Sequence, residues 1–319
     1  MIGAQQFTST FIRLALITAL LTLGIIVFGG VVRVTDSGLG CGEHWPLCNG
    51  TIFPPLDNVT AWIEWLHRLF AVAIGGFGLA TLWVAYRAYR QQNRLVLNIT
   101  VLAAVLFTVQ SALGALVVVW ELPPTMVTLH LGTAMLLLGA LLAAAALAAY
   151  KPGQRYTADR VTALAYLTAA LSLLIILTGA LVRGSGATLA CTDWPLCNGS
   201  IVPFGQGQLA LIHMIHRFSV VALGISLLLL IWFVLKERQD SLMRGVAIAA
   251  GVVYLSQAGI GALFVWTSAA PIWGATHVGM AAATWGLLVM ISAMEWLGTR
   301  QSRTEIIESS WKTQSLPLQ

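Results

Sequence analysis

Residues 65–75 read WLHRLFAVAIG, and residues 214–224 read MIHRFSVVALG. A His-Arg pair inside an apolar run, met twice at a distance of about half the chain, decides the fold. The recurrence extends outward in both directions. Upstream, GGVVR at 29–33 matches GALVR at 179–183, and CGEHWPLCNG at 41–50 matches CTDWPLCNG at 191–199 with one residue fewer. Downstream, QSALGALVVVW at 110–120 matches QAGIGALFVW at 257–266, and His130 falls opposite His277. Self-similarity on this scale marks a duplicated structural unit.

The medium in which the unit folds follows from composition. Of 319 residues, 58% are apolar and 9% charged, against about 25% charged in a soluble domain. Mean hydropathy is +0.84. Such a chain cannot cover itself with polar groups in water, which excludes a soluble enzyme, a disordered protein and a nucleic-acid binder. The net charge of +5 comes from Lys and Arg clustered between apolar runs, as in an integral membrane protein. Eight stretches reach the roughly 20 residues a transmembrane helix requires: 11–32, 61–86, 95–120, 125–149, 160–182, 208–235, 243–266 and 271–297. The predicted fold is an all-α integral membrane protein. Its eight spans form two four-helix bundles related by a pseudo-two-fold along the membrane normal, 1–150 and 151–319, joined by a linker near 150–160.

Charge placement predicts the topology. Thirteen Lys and Arg fall on the side of the two termini and only Arg33 and Arg183 in the opposite loops, with Arg68 and Arg217 inside spans. Positive charge stays in the cytoplasm. Both termini are therefore expected there, with loops 33–60 and 183–207 outside. The first apolar run is too long for a signal peptide, and no Arg-rich, acid-poor transit peptide precedes it. The expected location is a bacterial plasma membrane.

Ionisable residues inside spans are costly and point to function. Two repeat-related pairs stand out, His67 with His216 and His130 with His277. Counted along their helices, all four lie roughly 8–12 Å below the outer surface. Two level imidazoles per bundle suit a flat cofactor held between them, which is bis-His haem ligation. Zinc would want a third or fourth ligand, and none repeats within the spans. Glu64 precedes His67 by three residues and shares its helix face, whereas its counterpart is His213. Glu64 either orients His67 or is a helix-end charge near the interface, or it marks the first bundle as the site of chemistry and leaves the second to hold an electron-carrying cofactor. Arg68 and Arg217 either pair with an anion such as a haem propionate or snorkel to the headgroups.

The four cysteines lie in the two predicted outer loops. The outer face is oxidising, and each pair can bridge locally, Cys41–Cys48 and Cys191–Cys197. Each bridge would staple a loop over its bundle. Cys41–Cys48, above the half with Glu64, has a redox role as its alternative, and a metal held by Cys41, Cys48 and His44 is a third option.

Taken together, these residues resemble the haem A synthase family over essentially the whole chain. The resemblance rests on eight spans in two halves, a His in spans 2, 4, 6 and 8, the E-x-x-H of Glu64 and His67, and the two cysteine pairs. It implies oxidation of the C8 methyl of haem O to a formyl group through a hydroxymethyl intermediate. On that reading His67 and His130 hold the substrate haem iron, Glu64 is the catalytic carboxylate, and His216 and His277 ligate a permanent haem b. The implied partners are a haem O synthase (a protoporphyrin farnesyltransferase) that supplies the substrate and an electron acceptor in the membrane; a homo-oligomer stays open. The family gives His44 and His213 no role. The alternative is a bis-His cytochrome b that only relays electrons, which leaves Glu64 without a task.

Overall fold

The computed structural model describes residues 2–153 and 155–314, with side chains described between residues 6 and 300 apart from Gln154. Eight long helices account for nearly all of it: α1 Ile2–Val34, α2 Val59–Tyr89, α3 Arg94–Val119, α4 Pro124–Ala149, α5 Arg160–Gly184, α6 Gln208–Glu237, α7 Ser241–Trp266 and α8 Pro271–Gln314. Each is long and apolar enough to cross a membrane. In lipid every backbone N–H and C=O must find an internal partner, and an apolar run answers that only as a helix. The helices outrun the apolar stretches that predict them, most of all at α8, because their polar ends continue the backbone ladder past the hydrocarbon.

Local chemistry sets the boundaries. Asn58 caps α2 by accepting the N–H of Ala61, and Asp240 caps α7 through Met243. Asp159 forms a capping box with Thr162 at the start of α5. Pro124 and Pro271 open α4 and α8, where a missing N–H costs nothing. The turns before them are also alike. Glu121 and Leu122, like Ser268 and Ala269, take left-handed backbone. The N–H of Leu122 and of Ala269 then each closes onto a carbonyl five residues back, at 2.8 Å.

The repeat is reproduced in the packing. α1 packs on α2 and α4, and α3 on α2 and α4; α5 to α8 repeat these contacts. The halves meet where α1 touches α8, α4 touches α5, and α4 touches α8. Exchanging α1 with α5 and α4 with α8 maps that set onto itself. α4 and α8 are the most buried spans, at 56% and 44% against 17–33% for the others. Trp285 of α8 donates its indole N–H to the Met135 carbonyl of α4 at 2.8 Å, over Gly139. Outward, Leu20, Leu79, Leu228 and Leu255 stay at least 65% exposed, as side chains facing lipid tails do.

At the end carrying the termini, the linker is fastened more firmly than its composition suggests. Arg238 forks onto Glu295 of α8 with two bonds of 2.8 Å and onto Asp159 with bonds of 2.7 and 2.9 Å. Tyr156 and Thr162 donate to the same Glu295 carboxylate at 3.0 and 2.8 Å. Glu295 is fully buried and Arg238 nearly so. A charge pair at that depth holds only when each lone pair and proton is matched.

At the opposite end each cysteine loop carries one disulfide, Cys41–Cys48 and Cys191–Cys197. Both loops contain a cis Trp-Pro bond, at Trp45–Pro46 and Trp194–Pro195. Asn49-Gly50 and Asn198-Gly199 turn with positive φ, the backbone of a tight hairpin that Asn-Gly favours.

Candidate functional site

All four intramembrane histidines border one cavity of ≈ 1700 Å³, beyond the roughly 300–1,000 Å³ of a usual small-molecule site. His67 and His130 line its first-half wall, and His216 and His277 its second-half wall.

Each imidazole rests against a glycine of a neighbouring helix. A Cβ placed on Gly29 would lie 3.3 Å from His67 Cε1, and on Gly114 3.0 Å from His130 Cε1. On Gly179 and Gly261 it would lie 3.1 Å from Cε1 of His216 and His277. One glycine on each odd-numbered helix thus seats one histidine of an even-numbered helix. These glycines are repeat mates within the stretches that reveal the duplication. The signal is in the sequence, but its meaning appears only when the helices approach.

The four seats differ in what fixes the ring. His277 Nδ1 lies 3.1 Å from the Gln257 carbonyl, which can only accept. Thr178 donates its hydroxyl to Ile175 O and lies 3.1 Å from His216 Nδ1, so it accepts from that ring. These contacts favour a proton on Nδ1 in both rings, the tautomer that keeps the Nε2 lone pair for a metal. In the first half His67 Nδ1 and His130 Nδ1 are buried without a partner, and the Gln110 amide nitrogen lies 3.1 Å from His130 Nε2.

Glu64 is the one buried carboxylate in the cavity wall among the described residues. Its Oε2 accepts the backbone N–H of Cys41 at 2.8 Å, and its Oε1 accepts from Arg68. It makes no hydrogen bond to His67. The reading of Glu64 as an orienter of that ring is thereby corrected. The shared helix face is real, but the carboxylate reaches one turn along to Arg68 and across to the loop.

Arg68 donates through Nη1 to the carbonyls of His44, Pro46 and Leu47 at 3.0–3.2 Å. Arg217 does the same to Pro195 and Leu196 and approaches His213 Nε2 at 3.3 Å. The arginine after each histidine thus ties a disulfide loop to its bundle. A propionate, one of the two partners considered for these arginines beside the headgroups, would share the guanidinium with these carbonyls. Arg33 and Arg183, counted as loop charges, end α1 and α5 and border the same cavity. With both sulfurs in a disulfide, Cys41 and Cys48 have no thiolate to offer, so the metal option with His44 is withdrawn.

The family described as Cytochrome oxidase assembly protein (COX15-CtaA) matches residues 12–289. Among curated relatives, the Heme A synthase of Symbiobacterium thermophilum is 33% identical over 85% of this chain and 90% of its own length. That of an Exiguobacterium species is 29% identical over 88% and 92%. That of Shouchella clausii is 32% identical over 80% and 86%. With the cavity, the four histidines and the paired loops, these matches show that the chain belongs to the COX15-CtaA family of cytochrome oxidase assembly proteins.

Proposed function

We propose that this protein is a haem A synthase, an oxidoreductase of the membrane that converts the C8 methyl of haem O to a formyl group in two successive oxidations. The reading is carried by one asymmetry. The halves share four glycine-seated histidines, yet a buried carboxylate borders the cavity in the first half only, while metal-ready imidazoles are fixed in the second. Residues 1–150 then form the substrate half and 151–319 the cofactor half. A permanent ligand favours rings locked in one tautomer; a substrate that must leave favours rings that are not.

The donor set fits haem b in the second half. His216 and His277 would be its axial ligands, with Gly179 and Gly261 leaving room for their rings. Haem b, when bound, supplies a one-electron carrier beside the reacting half. In the first half His67 and His130 bind the substrate haem and fix its orientation. Converting the methyl to a hydroxymethyl with an oxygen taken from water releases electrons and protons, and on this reading Glu64 is the base that takes a proton. The Cys41 N–H and Arg68 hold its carboxylate in place, so it need not reorganise during the reaction. Haem O reaches the site from a haem O synthase, and the electrons leave to an acceptor in the membrane. Both termini lie in the cytoplasm and the disulfide loops outside.

Reversed-phase chromatography of the pigments extracted from the purified protein tests this reading. The expected result is haem b together with haem O or haem A. Haem b alone, at two per chain, would mean an electron relay instead.

A further inference from the structure

The cavity departs from the symmetry of the repeat. In the second half its wall ends at Ser172 on α5, Leu223 on α6 and Gln257 on α7. In the first half it continues to Thr18 on α1, Thr81 on α2 and Thr100 on α3. Thr81 lies 14 positions beyond His67, roughly 21 Å of helix, whereas Leu223 lies 7 beyond His216, roughly 10 Å.

The side chains explain the difference. On the His67 face of α2, residues 71, 74, 75, 78 and 81 are Ala, Ile, Gly, Gly and Thr. Their mates on α6, residues 220, 223, 224, 227 and 230, are Val, Leu, Gly, Leu and Leu. Leu223, Leu227 and Leu230 are at most 4% exposed and fill the space. Tyr254 of α7 donates to the Val220 carbonyl at 2.7 Å and closes the α6–α7 seam; its mate is Phe107, which has no hydroxyl. A Cβ at Gly78 would meet nothing within 4 Å. Leu79 borders the extension and is still 69% exposed, whereas its mate Leu228 does not border the cavity, so the extension opens sideways to lipid.

We propose that this first-half slot holds the farnesyl tail of the substrate porphyrin and that its side opening on α2 admits the tail from the bilayer. The assignment deepens the reading that His67 and His130 hold haem O. A farnesyl chain is long and apolar and has no polar group to satisfy; the slot's walls are Ala, Gly, Ile and Phe, and the hydroxyls of Thr18, Thr81 and Thr100 at its end are already bonded within the protein. A porphyrin without the tail has no use for the slot. The filled second half suits that porphyrin, so the slot sorts the two haems between the halves.

The test uses the full chain with its resident haem, titrated separately with haem O and with protohaem and followed by the low-spin Soret band. Wild type should take up haem O at least about tenfold more tightly than protohaem, because several buried methylenes separate the two. Gly78→Leu, which installs the second-half residue, and Ala104→Leu on the facing wall should each bring haem O down to the protohaem affinity. Protohaem uptake should not change in either variant, which also reports an intact fold. His67→Ala separates this inference from the reading beneath it. If His67→Ala leaves haem O uptake intact, the substrate site itself is misplaced. If His67→Ala abolishes uptake while both slot variants keep the wild-type preference, only the tail assignment is overturned. Equal loss of both haems in both slot variants would overturn it too.

Discussion

Oε2 of Glu64 accepts the backbone N–H of Cys41 at 2.8 Å, across 23 residues of sequence. The carboxylate is therefore positioned by the disulfide loop and by Arg68, which grips the same loop through three carbonyls. In the second half the mate of Glu64 is His213, so Arg217 meets an imidazole where Arg68 meets a carboxylate.

This relationship separates the two disulfides. Cys41→Ser should lower haem A formation more than it lowers the yield of folded protein, because Glu64 loses its fixed donor. Cys191→Ser should act mainly on stability, by about 2–3 kcal/mol for so short a loop. Turnover and thermal melting of both variants check it; equal responses in both assays would mean that the loops share one role.

The glycine seats give a second prediction. Gly179→Ala or Gly261→Ala would set a methyl 3.1 Å from a histidine Cε1. Overpacking of this kind costs about 1–3 kcal/mol, or roughly 5–150-fold in haem b retention, and should alter the low-spin electron paramagnetic resonance signal. Gly24→Ala, where a Cβ meets nothing within 4 Å, should leave both unchanged. Equal behaviour of the three variants would remove the seats from the account.

A third prediction concerns the buried network at the other end. Arg238→Met leaves Glu295 charged and unpaired, at a cost of about 3–5 kcal/mol. Adding Glu295→Leu should recover most of the loss in melting temperature. Burial raises the Asp159 carboxyl, but the Arg238 bonds and the N–H groups of Val161 and Thr162 outweigh it and hold it below the ordinary value. Its stabilisation is thus present above about pH 4, the unfolded value, and fades as pH falls through the lowered one. A melting temperature insensitive to Arg238→Met would show the network to be ornamental.

Topology is checked from outside. Single cysteines at Leu56 and Phe204, 90% and 81% exposed in the two disulfide loops, should react with an impermeant maleimide on intact cells. Labelling only after lysis would invert the orientation.

The helices and the duplication are legible in the sequence because lipid permits few alternatives to a long apolar helix. The histidines are legible because charge at that depth is rare. The seats are not, since Gly29 or Gly261 leaves no apolar signal and gains meaning only from the helix that leans on it. The partner of Glu64 is a backbone N–H, which every residue but proline carries. Glu295 lies inside the last apolar stretch far from the histidines, and its partner Arg238 looks like an ordinary flanking charge. The slot reduces to small residues facing large ones, visible once Gly78 is set beside Leu227.

Catalysis turns on Glu64. Glu64→Gln keeps the size and the hydrogen bond from Cys41 but removes the basicity. The measurement is the pigment profile of the purified variant, by reversed-phase chromatography, alongside its rate of haem A formation. The predicted result is normal haem b and bound haem O, with haem O or the hydroxymethyl intermediate accumulating and turnover lowered about 10²–10⁴-fold. Near-normal haem A formation by Glu64→Gln would contradict it and make the carboxylate a fastening for the loop.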